Sequence, residues 1–234
     1  MLFRSPVKIK NSMMHTAACI FDLDGVIVDT ARYHFLAWKR LTDQIGIHFT
    51  EEDNERLKGV SRMASLEIIL GIGNRKADER QKQEYAALKN SWYIDYISKM
   101  TPDEVLPGCL SFIRELRNAN IRVAIGSASK NTPMILERVG IRELFDAIAD
   151  GNNVTEAKPN PEVFIKAAEM VGINPGKCVV FEDAVAGVQA ALNAGMMCIG
   201  VGSSKILIKA HFVVHGLNEM TLSKLISIEK DIRI

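Results

Sequence analysis

The sequence predicts an α/β protein: a doubly wound, Rossmann-like core built on a parallel sheet, with a small α-helical cap domain inserted after the first strand. Two patterns support this class. From about residue 103 onward, short apolar runs alternate with segments of helical periodicity, which is typical of strands buried on both faces of a parallel sheet. Residues 31–100, by contrast, contain one helical segment after another and no convincing strand.

Six strands are expected, and each is a short apolar run that ends in polar or turn-forming residues. The first lies directly before Asp22, and the second ends in a Gly-Ser turn at Gly126. Helices follow the later strands: Pro133 suits the first turn of one, Pro161 begins another, and Gly195 ends a third after residues 184–194. The expected strands are residues 17–21, 121–126, 147–149, 178–181, 197–201 and 211–214.

The helical segments after the first strand indicate a second, smaller domain. Pro102 and the Pro107-Gly108 pair mark the return of the chain to the core. We therefore expect a flexible lead over residues 1–16, a core formed by residues 17–30 and 103–234, and a helical cap over residues 31–102. The expected cap helices are about residues 31–46, 51–57, 61–70 and 76–100.

The composition excludes several classes of partner. Twenty-nine Lys and Arg residues against 28 Asp and Glu give a formal net charge of +1, so no basic field favours nucleic acid or a membrane surface. The four cysteines are far apart in the sequence, which is typical of reduced, buried thiols. No apolar run reaches the roughly 18 residues of a membrane span. A soluble, cytoplasmic monomer is expected.

Two carboxylates follow the first strand, Asp22 and Asp24. Side chains at positions i and i+2 of a strand share one face, so both can address the same cleft, and Gly25 permits a sharp turn out of the sheet. Carboxylates this close repel each other unless a cation lies between them or one is protonated. The pair suits a nucleophile and an acid–base group; the alternative is that both acids cap the next helix.

A second acidic pair, Glu182-Asp183, follows another strand. Hard oxygen ligands from separate strand ends suit Mg²⁺, although an acidic pair in this position can also be a helix cap. Ser127 to Asn131 follow a third strand and could form a phosphate cradle or ordinary caps. Lys158 precedes a proline, which keeps it out of helical geometry; this is compatible with a fixed ammonium group, although a lone lysine is usually a solvated surface charge.

The inserted segment carries a cationic string. Lys58, Gly59, Ser61 and Arg62 cluster around a glycine, and Ser65 lies one helical turn beyond, a pattern that can bind an anion. His34 and Trp38 are four residues apart and so share a helix face; packing within the cap and contact with a substrate are both compatible with this spacing.

Taken together, these pieces resemble the haloacid dehalogenase superfamily of phosphotransferases over residues 17–202. The matching parts are the string D-L-D-G-V-I-V-D-T from Asp22, then Ser127, Lys158 and Glu182-Asp183, in that order. The resemblance implies that Asp22 is the nucleophile and Asp24 the general acid and base, while Ser127 and Lys158 offset charge on the phosphoryl group. It also implies one Mg²⁺ per site, with the ligands Asp22, Asp24, Glu182 and Asp183.

The cap string further resembles that of sugar-phosphate mutases within this superfamily. This implies interconversion of β-D-glucose 1-phosphate and glucose 6-phosphate, through an aspartyl-phosphate and a priming β-glucose 1,6-bisphosphate. The implied partners are therefore small sugar phosphates, with no nucleic acid and no membrane. The implied substrate contacts are His34, Trp38, Lys58, Gly59, Val60, Ser61, Arg62, Ser65, Lys89, Ser127, Ala128, Ser129, Lys130 and Asn131.

Two alternatives stay open at this point. The chain departs from those mutases at Met63-Ala64, where acidic residues are typical, and at Val28, which is commonly Thr. The first departure favours a sugar-phosphate phosphatase on the same scaffold. A non-catalytic sugar-phosphate-binding protein is the other alternative, and the joint presence of Asp22, Asp24 and Lys158 argues against it.

Overall fold

The computed structural model describes residues 15–232 and contains a six-stranded sheet. All neighbouring strands are parallel, in the order β3-β2-β1-β4-β5-β6. The predicted α/β class is confirmed, and the observed strand bounds differ from the predicted ones by at most one residue. The predicted lead falls mostly on residues 1–14, which lie outside the described residues. The strands are β1 Ala18–Phe21, β2 Arg122–Gly126, β3 Ala147–Ala149, β4 Cys178–Glu182, β5 Met197–Val201 and β6 Phe212–Val214.

Helices cover both faces of the sheet, and side chains alternate between two apolar layers. On one face Phe21 stacks on Phe181 at 4.7 Å between ring centroids, and Phe112 meets both rings edge-on. On the other face Ile20 packs with Phe164. The helices of the core are α5 Cys109–Asn118, α6 Thr132–Arg138, α7 Glu162–Met170, α8 Val185–Asn193 and α9 Leu222–Ile232.

Four α-helices lie within residues 31–102, where the sequence predicts them. Three of the predicted helices are too long. The first ends at Gln44, two residues before its predicted end. The second ends at Glu55 because the chain then turns through Gly59, whose φ is +73°. The fourth begins after Asp78, whose side chain accepts from the N–H of Gln81 and caps the helix. These helices are α1 Ala31–Gln44, α2 Glu51–Glu55, α3 Arg62–Ile72 and α4 Glu79–Ile97.

The two connections between these helices and the sheet run side by side. The backbone N–H of Leu106 donates to the carbonyl of Ile27 at 2.9 Å, and Val28 forms an isolated antiparallel bridge with Val105. The inserted helices are therefore joined to the core by a paired backbone. Among residues 15–232, no helix combines the length and the apolar character that crossing a membrane requires.

The strand order determines where the functional groups meet. The chain builds β1, β2 and β3 in one direction and then crosses to β4 on the other side of β1. Ligands of open parallel sheets bind at such a switch point, beyond the carboxyl ends of the strands. Asp22 and Asp24 follow β1, Glu182 ends β4 and Asp183 follows it, while Ser127 follows β2. The topology thus brings the sequence motifs to one edge of the sheet.

Candidate active site

Three carboxylates meet at this edge of the sheet. Asp22, Glu182 and Asp183 each place a carboxylate oxygen within 4.8 Å of the other two. Asp22 is 6% exposed and Glu182 is fully buried. Gly25 adopts a φ of +81°, and its α-carbon lies against the carboxylate of Asp183. Any side chain at position 25 would collide with that carboxylate, which explains why the turn contains glycine.

One buried ammonium group binds two members of the cluster. The Nζ atom of Lys158 lies 2.5 Å from Oδ1 of Asp22 and 3.0 Å from Oε2 of Glu182. The other oxygen of Glu182 accepts from the backbone N–H of Ala184 at 3.1 Å. Burial alone would lower the pKa of Lys158, but the charges of Asp22 and Glu182 outweigh it and the pKa is raised. Lys158 is therefore a buried cation held by two carboxylates, and not a solvated surface charge.

The acidic cluster fits a divalent cation. Burial and the neighbouring charge of Asp22 raise the pKa of Asp183 to about 7, and the same two causes raise the pKa of Glu182. A single lysine thus leaves the three carboxylates with excess negative charge. Hard carboxylate oxygens in this arrangement are the ligand type that Mg²⁺ binds, so Asp22, Glu182 and Asp183 could hold it. The predicted fourth carboxylate ligand, Asp24, is not part of this cluster.

Asp24 instead has separate partners. Its Oδ1 accepts a hydrogen bond from the hydroxyl of Thr30, which is fully buried, and its Oδ2 lies 4.0 Å from Nε2 of His34. The exposed part of the Asp24 side chain faces a cavity that is partly open to solvent. Burial, together with the charge of Asp22, raises the pKa of Asp24 to about 6. This carboxyl group can therefore both hold and release a proton near neutral pH.

A cavity of about 610 Å³ lies beside these groups, between the inserted helices and the sheet edge. Every predicted substrate contact lines it, as do three of the four predicted catalytic or metal-binding carboxylates; Glu182 lies beneath the surface instead. The lining residues from the insert are His34, Trp38, Lys58, Gly59, Val60, Ser61, Arg62, Ser65 and Lys89, and those from the core are Ser127, Ala128, Ser129, Lys130, Asn131 and Lys158.

The cationic groups of this cavity differ in their surroundings. Lys58 forms an ion pair with Glu55, at 2.8 Å, in the segment that precedes α3. Within residues 15–232, by contrast, neither Arg62 nor Lys130 has a carboxylate at ion-pair distance. Burial lowers the pKa of Arg62, yet a guanidinium group keeps its charge in proteins. Arg62 is thus a charged group that lines the cavity and is free to bind an anion.

Lys89 is enclosed by three aromatic rings. It is 1% exposed, its Nζ lies 2.9 Å from Nδ1 of His34, and it sits over the rings of Trp38 and Tyr93 at 4.8 and 4.4 Å. Burial lowers the pKa of His34, and the charge of Lys89 lowers it further. A neutral His34 that accepts from Lys89 at Nδ1 carries its proton on Nε2, the nitrogen nearest Asp24.

Trp38 both packs within the insert and lines the cavity. Packing within the insert and contact with a substrate are therefore both compatible with its position.

The loop after β2 is held by its own hydroxyl groups. Ser127 is 1% exposed and its Oγ accepts from the backbone N–H of Ser129, while Oγ of Ser129 accepts from the N–H of Asn131. These bonds hold the loop in two tight turns and do not cap α6, whose N-cap residue, Asn131, lacks a side-chain capping bond. Both serines line the cavity, and a hydroxyl group that accepts one bond still has a donor to offer.

The insert contacts the core closely at Gly59. With a φ of +73°, this glycine lies so near α8 that a β-carbon on it would be 2.9 Å from the β-carbon of Ala184. The loop that carries Lys58 and Val60 therefore rests on the start of α8. Glycine is required here both by the backbone conformation and by the space available.

The sequence assigned no separate role to three residues near the site: Thr30, which is fully buried beside Asp24, and Asn90 and Tyr93, which line the cavity. Thr30 ends the string that begins at Asp22, so its place in that string is the sequence signal for a role at the site. Tyr93 lies four residues after Lys89 on α4, hence on the same helix face. Asn90 gives no such signal, because its role depends on a contact with a distant loop.

Comparison with known proteins agrees with this geometry. Residues 16–195 match the family model of the haloacid dehalogenase-like hydrolases. The β-phosphoglucomutase of Bacillus subtilis is 45% identical over 210 residues, which is 89% of this chain and 93% of that protein. The fructose-1-phosphate phosphatase YqaB of Escherichia coli is 30% identical and covers 79% of this chain, with 96% of its own length matched.

A solved structure extends the comparison to the fold. The crystal structure of β-phosphoglucomutase from Clostridium difficile aligns with a TM-score of 0.89 at 40% sequence identity, covering 92% of this chain and 98% of that one. Sequence, fold and the arrangement of the acidic and cationic groups thus agree. The chain belongs to the haloacid dehalogenase-like hydrolase family.

Proposed function

We propose that this enzyme interconverts β-D-glucose 1-phosphate and glucose 6-phosphate through β-glucose 1,6-bisphosphate. One observation carries the proposal: the cavity that contains Asp22 and Asp24 also contains a second anion-binding set, in which Arg62 and Lys130 have no carboxylate partner among the described residues. A bisphosphate needs two such places, whereas hydrolysis of a monophosphate needs one. The similarity to two β-phosphoglucomutases supports the same activity.

In the priming step a carboxylate oxygen of Asp22 attacks one phosphorus of β-glucose 1,6-bisphosphate and forms an aspartyl-phosphate, while the bond from that phosphorus to the sugar oxygen breaks and a glucose monophosphate leaves. Lys158, which donates a hydrogen bond to Asp22, would offset negative charge on the phosphoryl oxygens. The hydroxyl of Ser127 would donate to one of them. When bound by Asp22, Glu182 and Asp183, one Mg²⁺ per site would supply further positive charge at this point.

Asp24 would move the proton. Protonated Asp24 donates to the departing sugar oxygen, and the resulting carboxylate later removes the proton from the sugar hydroxyl that attacks the phosphoryl group of Asp22. A pKa of about 6 makes both forms accessible near neutral pH. The hydroxyl of Thr30 holds one carboxylate oxygen, so the carboxyl group keeps one orientation through both steps.

The second phosphate group would be held by Arg62 with Ser129, Lys130 and Asn131 while the other end reacts. We propose that residues 31–102 act as a cap over a core of residues 17–30 and 103–234, because the inserted helices form one wall of the cavity. Closure of this cap would exclude water while the bisphosphate turns round. The bisphosphate would also prime the enzyme by phosphorylating Asp22.

The proposed working state is a cytoplasmic monomer. A monomer suffices because both sets of anion-binding groups come from one chain. Cytoplasmic location is supported by the four buried, unpaired cysteines, Cys19, Cys109, Cys178 and Cys198, which suit a reducing compartment.

The proposal is tested by following both products of one reaction. The enzyme is given β-glucose 1-phosphate, a trace of β-glucose 1,6-bisphosphate and Mg²⁺, and glucose 6-phosphate and orthophosphate are measured in parallel. We expect glucose 6-phosphate to account for nearly all the substrate consumed, and no turnover in Asp22→Asn. Stoichiometric orthophosphate without glucose 6-phosphate would refute the mutase.

A sugar-phosphate phosphatase is the second candidate. Met63, which replaces a typically acidic residue and lines the cavity, favours it, as does the similarity to the E. coli phosphatase. The same assay separates the two, because a phosphatase releases one orthophosphate for each sugar phosphate consumed. A non-catalytic binding protein would yield neither product.

A further inference from the structure

A hydrogen bond beside the cavity joins the insert to the loop after β2. The Nδ2 group of Asn131 donates to Oδ1 of Asn90 at 3.1 Å. Asn90 lies on α4 directly after Lys89, and Asn131 immediately precedes α6. Both residues line the cavity and both are half-buried. The bond therefore connects two walls of the same cavity, over a separation of 41 residues in the sequence.

This bond determines which way the Asn131 amide faces. A carboxamide carries a donor NH₂ group on one side and an acceptor oxygen on the other. Among the described residues, the contact with Asn90 is the one hydrogen bond of the Asn131 side chain, while its backbone N–H is held by Ser129. The oxygen of Asn90 engages one N–H of Asn131, so the same nitrogen keeps a second N–H for a ligand. Without that acceptor, the amide could rotate and offer its oxygen.

We propose that Asn90 is a positioning residue for the phosphate group that is not reacting. It acts through Asn131: by accepting from one N–H, it fixes the amide so that the nitrogen, and not the oxygen, serves the anion held by Arg62 and Lys130. An amide oxygen turned toward the anion would repel it and would also cost the hydrogen bond. This inference rests on the proposed function, because it assumes that a phosphate group occupies this part of the cavity.

The test is a double-mutant cycle on ligand binding. Asn90→Ala, Asn131→Ala and the double variant are made in an Asp22→Asn background, which prevents turnover, and the Kd for glucose 6-phosphate is measured by calorimetry with Mg²⁺ present. We expect each single variant to raise Kd about tenfold, as for the loss of one hydrogen bond to a charged group. The double variant should bind no more weakly than Asn131→Ala alone.

Two further measurements distinguish the positioning role of Asn90 from a merely structural one. Asn90→Leu fills the same space without an acceptor and should reproduce the tenfold loss, whereas Ser91→Ala, on the exposed neighbouring residue of α4, should leave Kd unchanged. With Asp22 intact, Asn90→Ala should raise KM for β-glucose 1-phosphate more than it lowers kcat, which is the split expected from weaker phosphate binding.

Two results would overturn the inference. One is an unchanged Kd in Asn90→Ala. The other is a double variant whose loss equals the product of the two single losses, since independent sites multiply. These outcomes are separate from the fate of the proposed function, because Kd is measured without turnover. A failure to form glucose 6-phosphate in the product assay would refute the mutase and leave the cycle interpretable.

Discussion

Asp24 illustrates how one carboxyl group can serve in two protonation states. It lies two residues from Asp22, yet the structure gives the two groups different partners: Lys158 binds Asp22, and Thr30 binds Asp24. The ammonium group of Lys158 holds the carboxylate of Asp22 in place, while burial and the charge of Asp22 raise the pKa of Asp24 to about 6. These different partners suit the two roles proposed for the pair, nucleophile and acid–base group.

Asp24→Asn should therefore affect only steps that need proton transfer. The amide oxygen still accepts from Thr30, but the side chain can no longer give or take a proton. We expect isomerisation to fall at least about 100-fold, while phosphorylation of Asp22 by acetyl phosphate, whose leaving group needs no proton, changes far less. Rates of both reactions check this, and an equal loss in the two would contradict the assigned role.

At the scale of elements, the contact between the Gly59 loop and α8 determines how closely the insert approaches the core. Gly59→Ala adds a β-carbon 2.9 Å from that of Ala184 and also strains a backbone whose φ is +73°. Gly46 is a matched control, because its φ is +69° and nothing lies within 4 Å of its missing β-carbon. The two substitutions share the backbone strain and differ in the collision.

We expect both alanine variants to lose similar stability, about 1 kcal/mol each. Only Gly59→Ala should raise KM for the sugar phosphate, by about fivefold or more, and increase the fraction of substrate lost as orthophosphate, since the loop is pushed away from α8. Thermal unfolding and the product assay measure these effects. Equal KM values in the two variants would show that the contact does not position the loop.

A second contact that positions the insert lies in the connection between insert and core. Glu104, in the returning connection, accepts from Arg32 at 2.5 Å and from the hydroxyl of Tyr33 at 2.6 Å, both on α1, and from the backbone N–H of Thr101 at 3.1 Å. Burial alone would raise the pKa of Glu104, but the bonds from Tyr33, Thr101 and Arg32 outweigh it and hold the pKa below its ordinary 4.5. The side chain of Glu104 therefore holds the returning connection against the start of α1.

Glu104→Gln should lower the free energy of unfolding by about 0.5 kcal/mol at pH 7, a small value because Arg32 is 57% exposed. A depressed carboxyl pKa gives stability that is present above the unfolded pKa and lost as pH falls through the folded one. The difference between the proteins should thus shrink below pH 4.5. Urea unfolding at neutral and acidic pH measures it, with Glu84→Gln, in an exposed pair on α4, as the control. A difference that persists in acid would contradict the charged bond.

At the scale of the whole molecule, the near-zero net charge conceals two local clusters of side chains with opposite charge. Asp22, Glu182 and Asp183 form an acidic cluster at the sheet edge, and Arg62 and Lys130 line the cavity beside it. The acidic cluster and Lys130 could be predicted because the strands that precede them end in an abrupt change from apolar to polar residues, whereas Arg62 was predicted from the cationic string in the insert. A parallel sheet brings those ends together whatever the details of packing.

What the sequence could not predict depends on contacts between distant segments. The bond from Asn131 to Asn90 requires the relative position of α4 and α6, and the contact of Gly59 with Ala184 requires the approach of the insert to α8. Helical periodicity alone could not determine that α2 ends at Glu55, since the turn that follows is held by tertiary packing. Local pattern thus determined the elements, and the packing of insert on core determined the finer site.

The most direct test of the account follows the phosphoryl group of Asp22 through a single turnover. The enzyme is phosphorylated with ³²P-labelled acetyl phosphate, freed of excess donor and mixed with unlabelled β-glucose 1-phosphate in the presence of Mg²⁺. We predict that the label passes to β-glucose 1,6-bisphosphate and then to glucose 6-phosphate before it appears as orthophosphate. Release of the label directly as orthophosphate, with none in either sugar, would contradict it.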